Sequence, residues 1–131
     1  EGDVLEKGHV YVAPGGMHME VVKAHGNTHR IKLDDLPPIG GLRPCANIMF
    51  DSLAKTDYDE IICIVLTGMG ADGTNGILSL NRTKPIHVIA QDAQTCVVYG
   101  MPRAIAEAGM VDEVVPLTAV AKTIIKNVGV K

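Results

Sequence analysis

Tryptophan is absent and aromatic residues make up only 3% of the sequence. Stacking of nucleobases on aromatic faces is therefore not an expected binding mode, and any core must be assembled from Val, Ile, Leu, Ala and Met. Positive charge is scarce too. The formal net charge is −3, and the 12 Lys and Arg residues are scattered along the chain. No basic stripe offers the phosphate neutralisation that DNA or RNA binding requires, so nucleic acid is not an expected partner. No apolar run approaches the roughly 20 residues of a membrane-spanning helix. Glu1-Gly2-Asp3 also lacks the charged start of a signal peptide, so membrane insertion is not expected. The three cysteines, Cys45, Cys63 and Cys96, are odd in number and widely spaced, with no C-x-x-C pair. Neither a disulfide framework nor a zinc site is suggested. No metal is expected, a reducing cytoplasm fits best, and each thiol reads as a small buried apolar group. The chain opens on Glu1 rather than Met, which suggests a processed product or an excerpt.

With 131 residues, 47% of them apolar and 21% charged, the chain can close one core, as a single domain or part of one. The runs 9–13, 19–23 and 29–33 favour β-structure and are separated by Pro14-Gly15-Gly16 and His25-Gly26-Asn27, which predicts a strand followed by a hairpin. From Pro44 to Lys55 the residues Ala46, Met49, Phe50 and Leu53 recur at helical spacing. Glu60 to Thr67 is continuously apolar and β-branched, the pattern of a parallel strand covered on both faces. A glycine-rich loop, Gly68 to Gly73, then leads into a helix over 74–81 and a strand over 86–90. A helix interrupted near Gly100-Met101-Pro102 is expected over 92–109, a short strand over 111–115 and a closing helix over 117–128. Alternating strands and helices predict an α/β layered fold.

Gly68-Met69-Gly70-Ala71-Asp72-Gly73 fits G-x-G-x-x-G between a strand and a helix, with Asp92 about 20 residues on, as a dinucleotide site requires. A nicotinamide-binding oxidoreductase is thus one reading. Against it, Asp72 places a carboxylate where the ligand's pyrophosphate would sit. The plainer reading is a tight strand-to-helix crossing in which Asp72 caps the helix.

The surrounding text points elsewhere. Leu66-Thr67-Gly68-Met69-Gly70-Ala71-Asp72-Gly73 closely resembles the signature of the CheB-type chemotaxis protein-glutamate methylesterases. Val10-Tyr11-Val12-Ala13-Pro14-Gly15-Gly16-Met17-His18, Arg43-Pro44, Phe50-Asp51-Ser52-Leu53-Ala54, Ala90-Gln91-Asp92 and Cys96 to Arg103 resemble further segments of that family in the same order. The resemblance covers essentially the whole chain. It implies a doubly wound, mainly parallel sheet flanked by helices, with an antiparallel hairpin, of which residues 1–131 form the later part, incomplete on the N-terminal side. It implies an esterase and glutamine deamidase acting on methyl-accepting chemotaxis receptors through a Ser-His-Asp triad, without cofactor, and in some members controlled by a response-regulator receiver domain.

By the same resemblance Asp72 is the triad aspartate, and Met69 and Gly70 lie on the loop that lines the substrate or oxyanion region. The serine and histidine fall upstream of Glu1. Nothing here replaces them: Ser52 and Ser79 sit in predicted helix interiors, outside any G-x-S-x-G elbow. His9, His25, His29 and His87 read as solvated or packed, and His18 matches a family position other than the triad histidine. The chain alone is expected to be inactive, and the unpaired strand 61–66 is expected to favour self-association. A non-catalytic module that docks on receptors or on a receiver domain is the remaining alternative. Cys45 and Asn47 depart from the family, which more often has serine and aspartate there, and Asn81 to Pro85 replaces a usual glycine-containing link.

Overall fold

The computed structural model describes residues 1–129; positions 130–131 of the predicted domain lie outside the described residues. Strands β1 (His18–Lys23) and β2 (His29–Asp34) form the expected antiparallel hairpin, in a register that pairs Val21 with Ile31. Helix α1 (Ala46–Leu53) follows, then β3 (Ile61–Val65), α2 (Thr74–Asn81), β4 (Ile86–Gln91), α3 (Met101–Glu107), β5 (Glu113–Val115) and α4 (Val120–Val128). The strands β3, β4 and β5 make a parallel sheet in that order.

Strand alternation assigns the two faces of this sheet. Cys63, Val65, Val88 and Ala90 point to one face, where they pack with Phe50 of α1, Ile77 and Leu80 of α2 and Ile105 of α3. On the other face, Glu113 of β5 accepts hydrogen bonds from Lys126 Nζ (2.6 Å) and Asn127 Nδ2 (2.9 Å), which ties α4 across the sheet. His87 joins the same carboxylate at 2.7 Å. The lysine, histidine and asparagine together hold the Glu113 carboxyl down to about 2. Helix α4 thus lies against β5 on the second face, while Ile62 and Ile64 of β3, which point to that face, are half-buried. Ile77, Leu80, Ile89 and Ile105 are fully buried, each contributing about 1.5–3 kcal/mol of apolar burial.

Two predicted elements are corrected. Residues 9–13 do not form a strand; Val10 and Val12 remain 89% and 84% exposed. Among the described residues no strand pairs with them, although Met19 of β1 and Ile31 and Leu33 of β2 line a shared pocket with them. The partner of β2 on that side is instead the stretch around Val4, through Gly2 N to Ile31 O (2.8 Å) and Leu5 N to His29 O (2.9 Å). The helix predicted over 92–109 shrinks to Met101–Glu107. Asp92 turns the chain by accepting from Thr95 N (3.0 Å) and Thr95 Oγ1 (2.6 Å), an arrangement that competes with helix.

Strand β3 pairs with β4 alone among the described residues, which leaves an apolar edge open to another strand. In isolation the chain is expected to associate with itself. Light scattering over a concentration series checks this, the expected sign being a mass that rises with concentration rather than a constant monomer.

Candidate active site

The C-terminal ends of β3 and β4 carry the two loops that matter, 66–73 and 92–100. In parallel α/β sheets this is the edge where ligands bind. The first loop needs glycine at Gly70 (φ +86°) and Gly73 (φ +98°), both in the left-handed region. The second loop braces it. Buried Gln91 accepts from Thr67 N (2.8 Å) and donates to Thr95 O (2.8 Å). Thr67 Oγ1 donates to Val98 O (3.0 Å), and Gly68 O accepts from Gly100 N (3.0 Å) and Met101 N (2.8 Å). The Cys96 to Arg103 motif thus holds the loop bearing Met69 and Gly70. Met69 itself is 84% exposed.

A Cβ on Gly100 would stand 2.6 Å from Gly68 O and 2.8 Å from Gly70 N, both backbone atoms with no rotamer escape. Gly100→Ala is accordingly expected to displace the Met69–Gly70 backbone. Amide chemical shifts across 68–73 read this directly, and a displacement on this scale costs about a hundredfold in turnover where that loop serves a reaction.

Asp72 sits in the same loop but reaches across to α1. Its Oδ2 accepts from Ala46 N (2.7 Å). Its Oδ1 accepts from Asn47 N (3.1 Å) and from the Cys45 thiol (3.2 Å). The plainer expectation, that Asp72 caps its own helix α2, is therefore corrected: it caps α1, whose dipole favours a negative charge there. The α2 cap is supplied in return by Asn47, whose Oδ1 accepts from Gly73 N (2.9 Å) and Gly76 N (2.8 Å). This argues against the dinucleotide reading: Gly73 N and Gly76 N, at the entry of α2 where a pyrophosphate would sit, are taken by Asn47, and Gly76 is pressed so close to α1 that a Cβ would meet Asn47 Cα at 2.8 Å.

Asp72 also lines a pocket of about 220 Å³ with Ala13, Met19, Pro44, Cys45 and Met49. Its walls are otherwise almost wholly apolar, so Asp72 is the charged group of that surface. Among the described residues no cluster of His, Cys, Asp and Glu could hold a metal ion, and no helix is long and apolar enough to cross a membrane.

The other candidates are accounted for structurally. His18 is fully buried, accepts from Cys45 N at Nδ1 (3.3 Å) and donates from Nε2 to Pro37 O (3.1 Å), so neither ring nitrogen is free. Ser52 accepts from Val21 N (2.9 Å) and donates to Met49 O (2.6 Å), and Ser79 lies inside α2. Burial, reinforced by the hydrogen bond to Asp72, pushes the Cys45 thiol up; burial takes Cys63 to about 11. His29 packs against Tyr58 with ring centroids 4.6 Å apart. Sequence reasoning missed Asn47 as a cap and Gln91 as a brace. Gln91 was signalled only by its place in the family-like Ala90-Gln91-Asp92, and Asn47 only as a departure from the family pattern after Arg43-Pro44.

A parallel α/β domain with an aspartate cradled by a helix N-terminus, beside a small pocket at the carboxyl ends of its strands, belongs to the class that builds its chemistry on loops at that edge. A family model described as CheB methylesterase matches residues 1–124. A protein-glutamate methylesterase/protein-glutamine glutaminase of Geobacillus kaustophilus is 41% identical over 98% of this chain and 37% of its own length. One of Clostridium acetobutylicum is 47% identical over 98% of this chain and 36% of its own. The crystal structure of the Thermotoga maritima CheB methylesterase catalytic domain superposes with a TM-score of 0.88 at 35% identity, covering 96% of this chain and 66% of that one. The chain belongs to the CheB methylesterase family. It spans little more than a third of the length of these curated relatives.

Proposed function

We propose that this chain is the aspartate-bearing part of a protein-glutamate methylesterase and protein-glutamine glutaminase acting in the cytoplasm on methyl-accepting chemotaxis receptors. The serine and histidine would come from residues outside this chain, in strands that continue the sheet beyond β3. A receiver domain is a further partner consistent with the length of the relatives. One observation carries the reading: the Asp72 carboxylate is fixed by three donors at the N-terminal end of α1, from Cys45, Ala46 and Asn47, while it borders the apolar pocket. An imidazole in that pocket would find an oriented negative charge in surroundings of low polarity, where such a pair is strongest.

In the proposed reaction the serine hydroxyl attacks the γ-carbonyl carbon of a glutamyl methyl ester while histidine takes its proton. That proton passes to the departing methoxide, and methanol leaves. Water then attacks the acyl-serine, histidine again moving the proton, and glutamate is released. A glutamine side chain follows the same course with ammonia as the leaving group. Asp72 holds the histidine tautomer and balances the imidazolium charge. Backbone amides of the Met69–Gly70 loop would stabilise the oxyanion, a role suited to a segment braced as this one is. The test is methanol release from methylated receptor by the full-length polypeptide. Release that depends on Asp72 supports the assignment, and receptor binding without hydrolysis would favour the non-catalytic module instead.

A further inference from the structure

The two helix N-termini facing the site are capped by each other's residues, and Asn47 takes part in both caps. Its backbone N–H donates to Asp72 Oδ1 at 3.1 Å, while its side-chain oxygen accepts from Gly73 N at 2.9 Å and Gly76 N at 2.8 Å. Asp72 is thereby held from two directions. Its carboxylate is fixed by α1, and the backbone immediately after it is fixed by a side chain of the same α1 residue. Gly73 and Gly76 are both buried, so neither amide finds a substitute acceptor in water when Asn47 is shortened. The same residue also sets how closely the helices meet, since Asn47 Cα and O lie 2.8 and 3.0 Å from where a Cβ of Gly76 would be.

We infer that Asn47 is a positioning residue for Asp72: it locks the spacing of α1 and α2 and so aims the Asp72 carboxylate into its pocket. This inference rests on the proposed role of Asp72. Asparagine keeps the acceptor that both amides need and adds no second carboxylate next to Asp72.

The experiment measures methanol release from methylated receptor by the full-length polypeptide, well below its unfolding temperature, as separate kcat and KM values. Asn47→Ala, which removes the acceptor, is expected to lower kcat by about 10- to 100-fold with KM within about twofold, the signature of a misaimed group rather than lost substrate binding. Asn47→Asp keeps an acceptor oxygen and is expected to retain at least about a third of the parent kcat. Should Asn47→Ala fail to fold, Asn47→Ser supplies a shorter acceptor, with an expected loss between the two. A kcat for the alanine or serine variant equal to the parent, in an enzyme that Asp72→Asn inactivates, overturns the inference. So does an aspartate variant as impaired as the alanine one. If Asp72→Asn itself leaves turnover intact, the reading of Asp72 fails first, and the two failures are told apart by that single control.

Discussion

Assayed by itself, this chain is expected to release no methanol from methylated receptor above the buffer background. Triads act as units, and deleting the nucleophile and base costs about a millionfold. Among the described residues, the following groups offer no replacement for either. Ser52 is engaged with Val21 N and Met49 O. Both ring nitrogens of His18 are taken, and the Cys45 and Cys63 thiols are buried and held in their neutral forms by that burial. Binding and oxyanion contacts can sustain some residual rate enhancement after a triad is lost. The loop that would supply the latter, Met69–Gly70, is present and braced, so the relevant control is Asp72→Asn in the isolated chain. Gas chromatography of released methanol makes the measurement. Turnover above background that disappears with Asp72→Asn would mean that a nucleophile lies within these residues after all.

Much of this architecture was legible in the sequence where the signal is local. The glycine loop, the helix over 74–81 and the apolar run of β3 each carry their own pattern; the structure has that helix at Thr74–Asn81 and trims the strand from 60–67 to Ile61–Val65. What was not legible depends on partners distant in the chain. Asp72 and Ala46 are 26 residues apart, and nothing local indicates that the aspartate caps a helix other than the one it precedes. Asn47 looked only like a departure from its relatives, because its two acceptor contacts exist only once α1 and α2 meet. The predicted strand over 9–13 has the right composition but pairs with no strand among the described residues. The stretch 92–100 reads as helix by composition, yet the Asx turn at Asp92 and the approach of Gly100 to Gly68 and Gly70 commit it to bracing a loop.

The second large effect concerns Asp72 within the full-length polypeptide. Asp72→Asn preserves shape but removes the charge, and it turns an amide N–H₂ toward a helix N-terminus that presents only donors. Losing part of such a cap costs about 1–2 kcal/mol. That corresponds to a fall of a few degrees in the unfolding midpoint. Losing the partner of a catalytic histidine costs about 10,000-fold in kcat by analogy with other triads, or about 5.5 kcal/mol of transition-state stabilisation. The two effects differ enough to be separated. A cap that serves only folding predicts the few-degree shift and near-normal turnover of the folded fraction. A triad aspartate predicts the same shift together with near-abolished turnover.

The central claim is therefore tested most directly by one paired measurement on a single Asp72→Asn sample of the full-length polypeptide: thermal unfolding, and methanol release from methylated receptor well below the midpoint. The account predicts a folded protein with a modestly lowered midpoint and turnover reduced by about four orders of magnitude. A folded Asp72→Asn protein that releases methanol at the parent rate would contradict it and leave Asp72 as a helix cap alone.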